Sequence, residues 1–555
     1  MSRIRAPLIG PIVGHTTDRT SRIWIRGKGP DDEGMKLSTN SRTIGVLTVL
    51  KDGQADPSDS SRTHYFRLRR EFDRTGTFNL GTDVCFGVSS LPEDLTRLGH
   101  HAVPFQMEPD TQYVIRAGTL ILDDVDDEEV VKSEDLLRKL PPASVWADEL
   151  AQLPPHESEA VVRTFPSATI DHLSFLLGSC RYPGLFFKAK KADAIFQPML
   201  EQVRDEEQRI RFVLMVGDQI YADTLNSMIP LGRADTYEEF QDRYLEAFGS
   251  PNMRSLMRSA PHYMILDDHE IEDNWTQDRI HTADKRALFH LAIGAYMSYQ
   301  WSHGPRTHGR RLYYRFDCGG SPFFVLDTRT ERYRDDVLES LEDNHLLGRD
   351  SFDPSYPSQL AVLCKWLVDQ QQSVGNRPKF IVTSSVFVPN DITTVKGDEH
   401  KNESDSWEAF PTTRRRILDT IMDSKVQNVV FLSGDIHCSC VAEIKFRGSK
   451  RAENLKAFAI TSSAFYWPFP FADGSPAGYV QNSLKQGDPF KLSDKKIKMD
   501  YEAYSFTQDD NFCRVDMNWD KRELIVTALG KDGQVLKKGD METGQDLVTI
   551  LKLAD

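Results

Sequence analysis

No run of apolar residues in this 555-residue chain approaches the ~20 that a membrane-crossing helix needs, so no membrane span is expected. Positive charge is in deficit: 68 Lys and Arg stand against 83 Asp and Glu, a formal net charge of −15. A surface of that sign repels phosphate backbones, which argues against a generally basic protein with a nucleic-acid duplex as partner. Any phosphate-bearing substrate would need a local cationic centre. Cysteine is sparse, seven residues that are odd in number and scattered, which fits reduced thiols in a cytosolic protein rather than a disulfide framework. Cys438 and Cys440 have no second pair at zinc spacing. Internal repeats and low-complexity tracts are also missing. At the N-terminus, Arg3 and Arg5 precede the apolar stretch 6–14, but Pro7 and Pro11 interrupt it and no small-residue cleavage site follows. It reads as a first strand and turn rather than a signal peptide, and a cytoplasmic protein is expected.

What is present describes a globular chain: 39% hydrophobic and 10% aromatic residues, with a mean hydropathy of −0.47. At roughly 150 residues per domain the length allows two to four domains. Residues 1–168 read as β-rich, with alternating or β-branched runs at 22–26, 43–50, 64–69 and 111–122 separated by Gly, Asp and Pro clusters. That spacing predicts an antiparallel sandwich of the immunoglobulin or fibronectin type III kind. An acidic, then proline-rich, stretch at about 123–158 reads as a solvated insertion before a last strand at 160–165. Within it, 123–135 holds eight carboxylates and one lysine, seven of the fifteen net negative charges.

From 169 to 555 the texture is that of an α/β domain. Apolar runs at 173–177, 212–216, 263–266, 323–326, 380–383 and 429–432 alternate with amphipathic stretches at 188–209, 281–301, 359–372 and 412–424. Three further strands, 513–519, 523–529 and 547–553, are expected to complete a sheet of this domain.

The chemistry is concentrated where the apolar runs end. These ends carry Gly178-Ser179-Cys180, Gly217-Asp218 with Tyr221, Asp267-Asp268-His269-Glu270 with Asn274, Asp327-Thr328-Arg329, and Gly434-Asp435 with His437. In open α/β sheets ligands bind off the carboxyl ends of the strands, so one thiol, one phenol, two imidazoles, a guanidinium and several carboxylates should meet there. Gly217 and Gly434 would let the chain turn sharply and bring the following Asp to a ligand. Carboxylates crowded together repel one another unless cations neutralise them, which points to a multinuclear metal site of mixed ligands. Asp218 could bridge two metals about 3.5–4 Å apart, the arrangement that clamps phosphoryl oxygens. Singly, each residue has an ordinary explanation. Asp218 and Asp435 suit helix N-caps, Cys180 a core thiol, Tyr221 a packing aromatic, His269 and Glu270 a surface turn, and Asp327 with Arg329 an ion pair.

The motifs, in this order, resemble the PhoD-like alkaline phosphatases, a branch of the calcineurin-like metallophosphoesterases. The matching stretches are Gly178–Arg181, GDQIYAD at 217–223, DDHEIEDNW at 267–275, LDTRTER at 326–332 and SGDIHCS at 433–439. Asp405 with Trp407, Pro411 and Arg414, and Thr461–Ser463 with Pro468, also look like the family, as does the opening GPIVGHTTDRTSRIWIRG at 10–27. The resemblance implies a layered metallophosphatase domain, central β-sheets flanked by helices, behind the N-terminal β-sandwich. It implies one metal held by Cys180, Asp218, Tyr221 and His437, and a second that shares Asp218, takes Asp435 and is completed by Asp268 or Asn274. His269 stands where relatives contact the transferred phosphate; Arg329 is the implied phosphate clamp, with Asp327 orienting the shell around it. The implied cofactors are Fe3+ and Ca2+, with Mn2+, Co2+ or Zn2+ as alternatives.

The implied activity is hydrolysis of small phosphomonoesters or phosphodiesters by metal-bound hydroxide, with an alkaline optimum. Alternatives are a phosphodiesterase for lipid headgroups or nucleotides, and a non-catalytic binding protein on the same fold. Secreted relatives carry a twin-arginine signal, whereas here the β-rich segment begins almost at once, which again implies a cytoplasmic address.

Overall fold

Among the described residues, seven strands arise from the β-rich first part: β1 (Ile9–Thr16), β2 (Thr20–Arg26), β3 (Arg42–Val49), β4 (Thr63–Leu68), β5 (Thr75–Gly81), β6 (Gln112–Leu122) and β7 (Glu159–Arg163). The computed structural model describes residues 4–28, 42–56, 58–68, 70–81, 105–122, 142–183, 189–223, 232–307, 311–334, 341–350, 355–396, 404–469, 474–538 and 544–555. The seven strands pair antiparallel in two sheets, β1-β2-β5 and β4-β3-β6-β7. Val13, Ile23, Ile25 and Phe78 of the first share one apolar cluster with Leu47, Leu68, Ile115 and Val162 of the second. Strand β5 was not anticipated, because Gly76, Asn79 and Gly81 dilute its β-branched and aromatic signal.

The expected insertion at about 123–158 needs correction. Residues 123–141, including the acidic run, lie outside the described residues. The remainder is not a solvated loop: Ala143–Ala151 is a helix that buries Trp146, Ala147 and Leu150. Trp146 and Leu150, four residues apart on one helix face, join Ile44 and Val46 of β3 and Leu120 and Leu122 of β6 in a small core.

The second part is built from two larger sheets. One runs β10 (His262–Met264), β9 (Ile210–Met215), β8 (His172–Gly178), β19 (Asn511–Asn518), β20 (Glu523–Gly530) and the C-terminal strand Val548–Lys552. The other runs β11 (Tyr314–Cys318), β12 (Ser321–Val325), β13 (Lys379–Val382), β14 (Val429–Ser433), β16 (Ala457–Thr461), β15 (Ser439–Arg447), β18 (Lys498–Thr507) and β17 (Phe490–Lys491). Strands β8–β10 are mutually parallel, as are β12, β13, β14 and β16. The C-terminal strands do join the sheet of β8, as their pattern predicted.

Alternation along the strands shows why these runs have no polar face. Phe175 and Leu177 of β8, Phe212 and Leu214 of β9, Phe323 and Val325 of β12, and Val430 and Leu432 of β14 meet in one core between the sheets. Their neighbours point outward to helices: Leu176, Val213 and Met215 to Phe196–Arg204, Tyr237–Gly249 and Ala283–Tyr299. On the other side Phe324, Val429 and Phe431 meet Gln359–Val374 and Pro411–Asp423. Strands covered on both faces read as continuous apolar runs, and the result is a mixed α/β architecture with helices outside paired sheets. The N-terminal sheets lie against the first helical layer. Trp24 Nε1 donates to Ser298 O at 2.9 Å, and Val161 N donates to Arg258 O at 2.9 Å. Among the described residues no helix is long and apolar enough to cross a membrane.

Candidate metal centre

The loops that leave the parallel strands are strained where the chemistry was expected. Five of the seven residues expected as ligands have a positive φ: Cys180 (58°), Asp218 (54°), Asn274 (55°), Asp435 (75°) and His437 (50°). Each such non-glycine conformation costs of order 1–3 kcal/mol and persists only where its surroundings impose it, which is typical of functional sites. Gly217 has φ 110° and is the sharp turn expected. Gly434 is needed for space instead, since a Cβ there would stand 2.2 Å from Ser179 Oγ.

Three groups of ligand atoms result, each with its atoms within 4.8 Å of one another: Cys180, Asp218 and His437; Asp218, Asp268 and His269; and Asp267, Asp268 and Asp435. Asp218 links the first two and Asp268 the last two. Tyr221 belongs with the first group, its hydroxyl 3.3 Å from Asp218 Oδ2 and 3.3 Å from His437 Nε2. The two sheets meet here, with Cys180 Sγ 3.6 Å from Asp435 O. Asn274 stands beside the groups: its backbone N donates to Asp268 Oδ2 at 2.6 Å and its Nδ2 to Asp273 Oδ1 at 3.1 Å.

Asp218 Oδ1, Asp267 Oδ2, Asp268 Oδ1 and His437 Nδ1 are buried without a hydrogen-bond partner. Leaving such groups unpaired costs about 1–3 kcal/mol each, more when charged. Burial pushes Asp218 and Asp435 well above the usual carboxylate range, and the neighbouring Asp267 adds to both. Burial and Asp218 likewise raise the Cys180 thiol, while burial and His269 lower His437 to about 3. Such carboxylates cannot all ionise together without a compensating cation. Orphaned oxygens, a thiol, a phenol and an imidazole form a donor set that fits one.

His269 is different. Burial opposes its charge, but Asp223, Asp268 and Asp218 outweigh that and hold its pKa well above the ordinary value. Its Nδ1 lies 2.7 Å from Asp223 Oδ1, and its side chain keeps 15% exposure. Asp223 was quoted within the 217–223 motif without a task; its position five residues after Asp218 was the available signal.

Glu270, for which a surface turn was the ordinary explanation, is fully buried. Its carboxylate accepts from Gln219 N (2.7 Å), Asp267 N (2.8 Å), Gln300 Nε2 (3.1 Å) and Asp218 N (3.2 Å). It therefore ties the Asp218 loop to the Asp267 loop, which no local pattern announces.

Arg329, the expected phosphate clamp, has no exposed surface. Its Nε donates to Asp267 Oδ1 at 2.5 Å, its terminal nitrogens to Asp405 at 3.0 and 2.6 Å, and Asp268 Oδ1 lies 3.4 Å away. Asp327 sits behind it, its Oδ1 accepting from Arg329 N at 3.1 Å and Thr330 N at 2.9 Å. Asp405 also receives Arg332, so two buried guanidinium groups share one carboxylate at the back of the acidic cluster.

The chain resembles known proteins. Alkaline phosphatase D of Bacillus subtilis (strain 168) is 24% identical over 322 residues, 54% of this chain and 52% of that protein. The chain thus spans about half the length of the curated relative it matches. A solved structure of PhoD superposes with a TM-score of 0.58 over 99% of this chain and 89% of the other, at 15% identity, a likeness of fold alone. Residues 187–474, just over half of the 555, match the family model of the PhoD-like phosphatases, from the helices after Cys180 to the segment beyond His437. The chain belongs to the PhoD-like phosphatase family.

Proposed function

We propose that this protein is a metal-dependent phosphoric ester hydrolase acting on small phosphomonoesters or phosphodiesters. The observation that carries it is the meeting of three ligand groups at the strand ends, with orphaned oxygens on Asp218 and Asp267. Cys180, Asp218, Tyr221 and His437 would hold one metal, with Fe3+ suiting the thiolate and phenolate. Asp218, Asp435 and Asp268 would hold a second, with Ca2+ suiting the carboxylates. When bound, such ions polarise phosphoryl oxygens and acidify water.

The chain's own residues do the rest. His269, its Nδ1 engaged with Asp223, has Nε2 left to meet the phosphate and to give a proton to the departing ester oxygen. Glu270 holds the Asp218 and Asp267 loops in register. Arg329 we assign to positioning Asp267 and Asp268 rather than to clamping substrate, because its donors are turned to carboxylates. The N-terminal sheets, joined by one apolar cluster, we take as the immunoglobulin-like sandwich of residues 1–168, preceding a catalytic domain at 169–555. A binding protein on the same fold would have no need to keep every ligand type.

The test is direct. Asp218→Asn should abolish hydrolysis of nitrophenyl phosphate mono- and diesters while circular dichroism stays unchanged, and elemental analysis should find iron in the wild type. Full activity in that variant would remove Asp218 from the centre.

A further inference from the structure

Trp467 lies half-buried with its indole flat on the His437 imidazole, ring centroids 3.6 Å apart and planes 12° from parallel. Its placement is over-determined. Trp467 N donates to Asp510 Oδ1 at 3.1 Å, and Nε1 donates to Phe469 O at 3.0 Å. Pro468 follows, which keeps the Trp467 backbone extended. The residues just before it run along the strand end that carries the thiol: Phe465 N donates to Ser179 O at 2.8 Å and Tyr466 N to Cys180 O at 3.3 Å. Tyr182 then stands edge-on to Trp467 at 5.4 Å and to Tyr221 at 5.0 Å. The indole is thus built into the wall around Cys180, Asp218, Tyr221 and His437, and its own peptide segment is bonded to the Cys180 loop and, through Ser463 Oγ accepting from His437 N at 3.1 Å, to the His437 loop.

His437 needs such a support. Its Nε2 lies 3.3 Å from the Tyr221 hydroxyl, while its buried Nδ1 has no hydrogen-bond partner. A ligating imidazole is ordinarily oriented by a hydrogen bond at its other ring nitrogen, and none stands behind this one. A ring packed on its face fixes its plane at little entropic cost, because Trp467 is itself held at its backbone N and at its indole Nε1. The same ring covers His437, which is left 7% exposed beneath it.

We propose that Trp467 is a positioning residue of the metal centre, one that fixes the plane of His437 and screens the Cys180, Asp218, Tyr221 and His437 group from water, so that a bound metal is retained. This role depends on the metal-site reading given above. Residues that orient a ligand from behind commonly cost 10–100-fold in metal affinity when lost.

The experiment uses the full chain purified with its metal. Timed dialysis against EDTA followed by elemental analysis should show Trp467→Ala and Trp467→Leu losing metal at least about 10-fold faster than wild type. Trp467→Phe, which keeps a stacked ring, should stay close to wild type. Stripping the metal should also change the tryptophan emission of the wild type more than that of Trp467→Phe, since only the former has an indole on His437. Wild-type retention in folded Trp467→Ala would overturn the role, and so would Trp467→Leu matching Trp467→Phe. Should Trp467→Ala fail to fold, the Leu and Phe variants and the emission change still decide. A wild-type protein that never holds metal would sink the metal-site reading itself, a result distinct from the others.

Discussion

Asp218 carries the most conflicting demands of any residue in the chain. It sits at φ 54°, buried, with one oxygen unpartnered and three other carboxylates around it. What holds it is Glu270, whose carboxylate gathers the N–H groups of Asp218, Gln219 and Asp267 and the amide of Gln300. Burial lifts the Glu270 pKa to about 7, although the N–H bonds from Asp267 and Gln219 work the other way. Glu270→Gln replaces one accepting oxygen by an NH2 that faces N–H groups, so at least one backbone donor loses its partner. A loss of about 1–3 kcal/mol is expected, together with a lower metal content, read by thermal denaturation and elemental analysis. An unchanged metal content would mean that the two loops keep their register unaided. None of this was visible at residue 270, because its partners come from three separate segments; His269, by contrast, was recognisable from its motif alone.

Strand ends were the most legible elements. Each apolar run that ended in Gly, Asp, Cys or His did become a strand or the exit from one, since a strand covered on both faces leaves a plain hydrophobic record. The turn after β9 shows how narrow the tolerance is. Gly217 has φ 110°, and a Cβ there would come within 2.6 Å of Asp267 Cβ and 2.8 Å of its Oδ2. Gly217→Ala should therefore be strained in both backbone and contact. We expect destabilisation of order 1–3 kcal/mol and displacement of Asp218 from Asp267, checked by a lowered melting temperature and by loss of nitrophenyl phosphate hydrolysis. Full activity would show that the loop relaxes freely. Less legible were β5, thinned by two glycines, and the helix Ala143–Ala151, hidden behind prolines. Its few apolar residues only acquire meaning against β3 and β6.

At the scale of the molecule, the N-terminal sheets and the helical layer meet over buried histidines that stay neutral. Burial lowers His262 to about 4 and His303 to about 3, the nearby His262 and Arg22 further disfavouring a proton on His303. Gly14 of β1 packs directly on the His303 backbone, and His15 Nδ1 lies 3.1 Å from the Tyr263 hydroxyl. Below the unfolded value of about 6.5, an unfolded chain takes up protons that the folded one refuses. The histidines' contribution to stability is therefore complete above pH 6.5 and is lost as pH drops toward 4, by about 3 kcal/mol for His262. Melting temperatures across that window should show the decline, and His262→Asn, which keeps a donor for Ala260 O, should flatten it. An equal slope in that variant would place the acid sensitivity elsewhere.

By itself the sequence determined the strands whose ends carry the donors, the turn glycine and the identity of those donors, but not β11 or β15–β18. Periodicity and chemical type are local properties, written in consecutive residues. Only the tertiary structure decided that Arg329 faces carboxylates instead of solvent, that Glu270 clasps two loops, and that Trp467 lies on His437. Those relations join segments tens to hundreds of residues apart, and the packing of two sheets is what brings them within a hydrogen bond of one another.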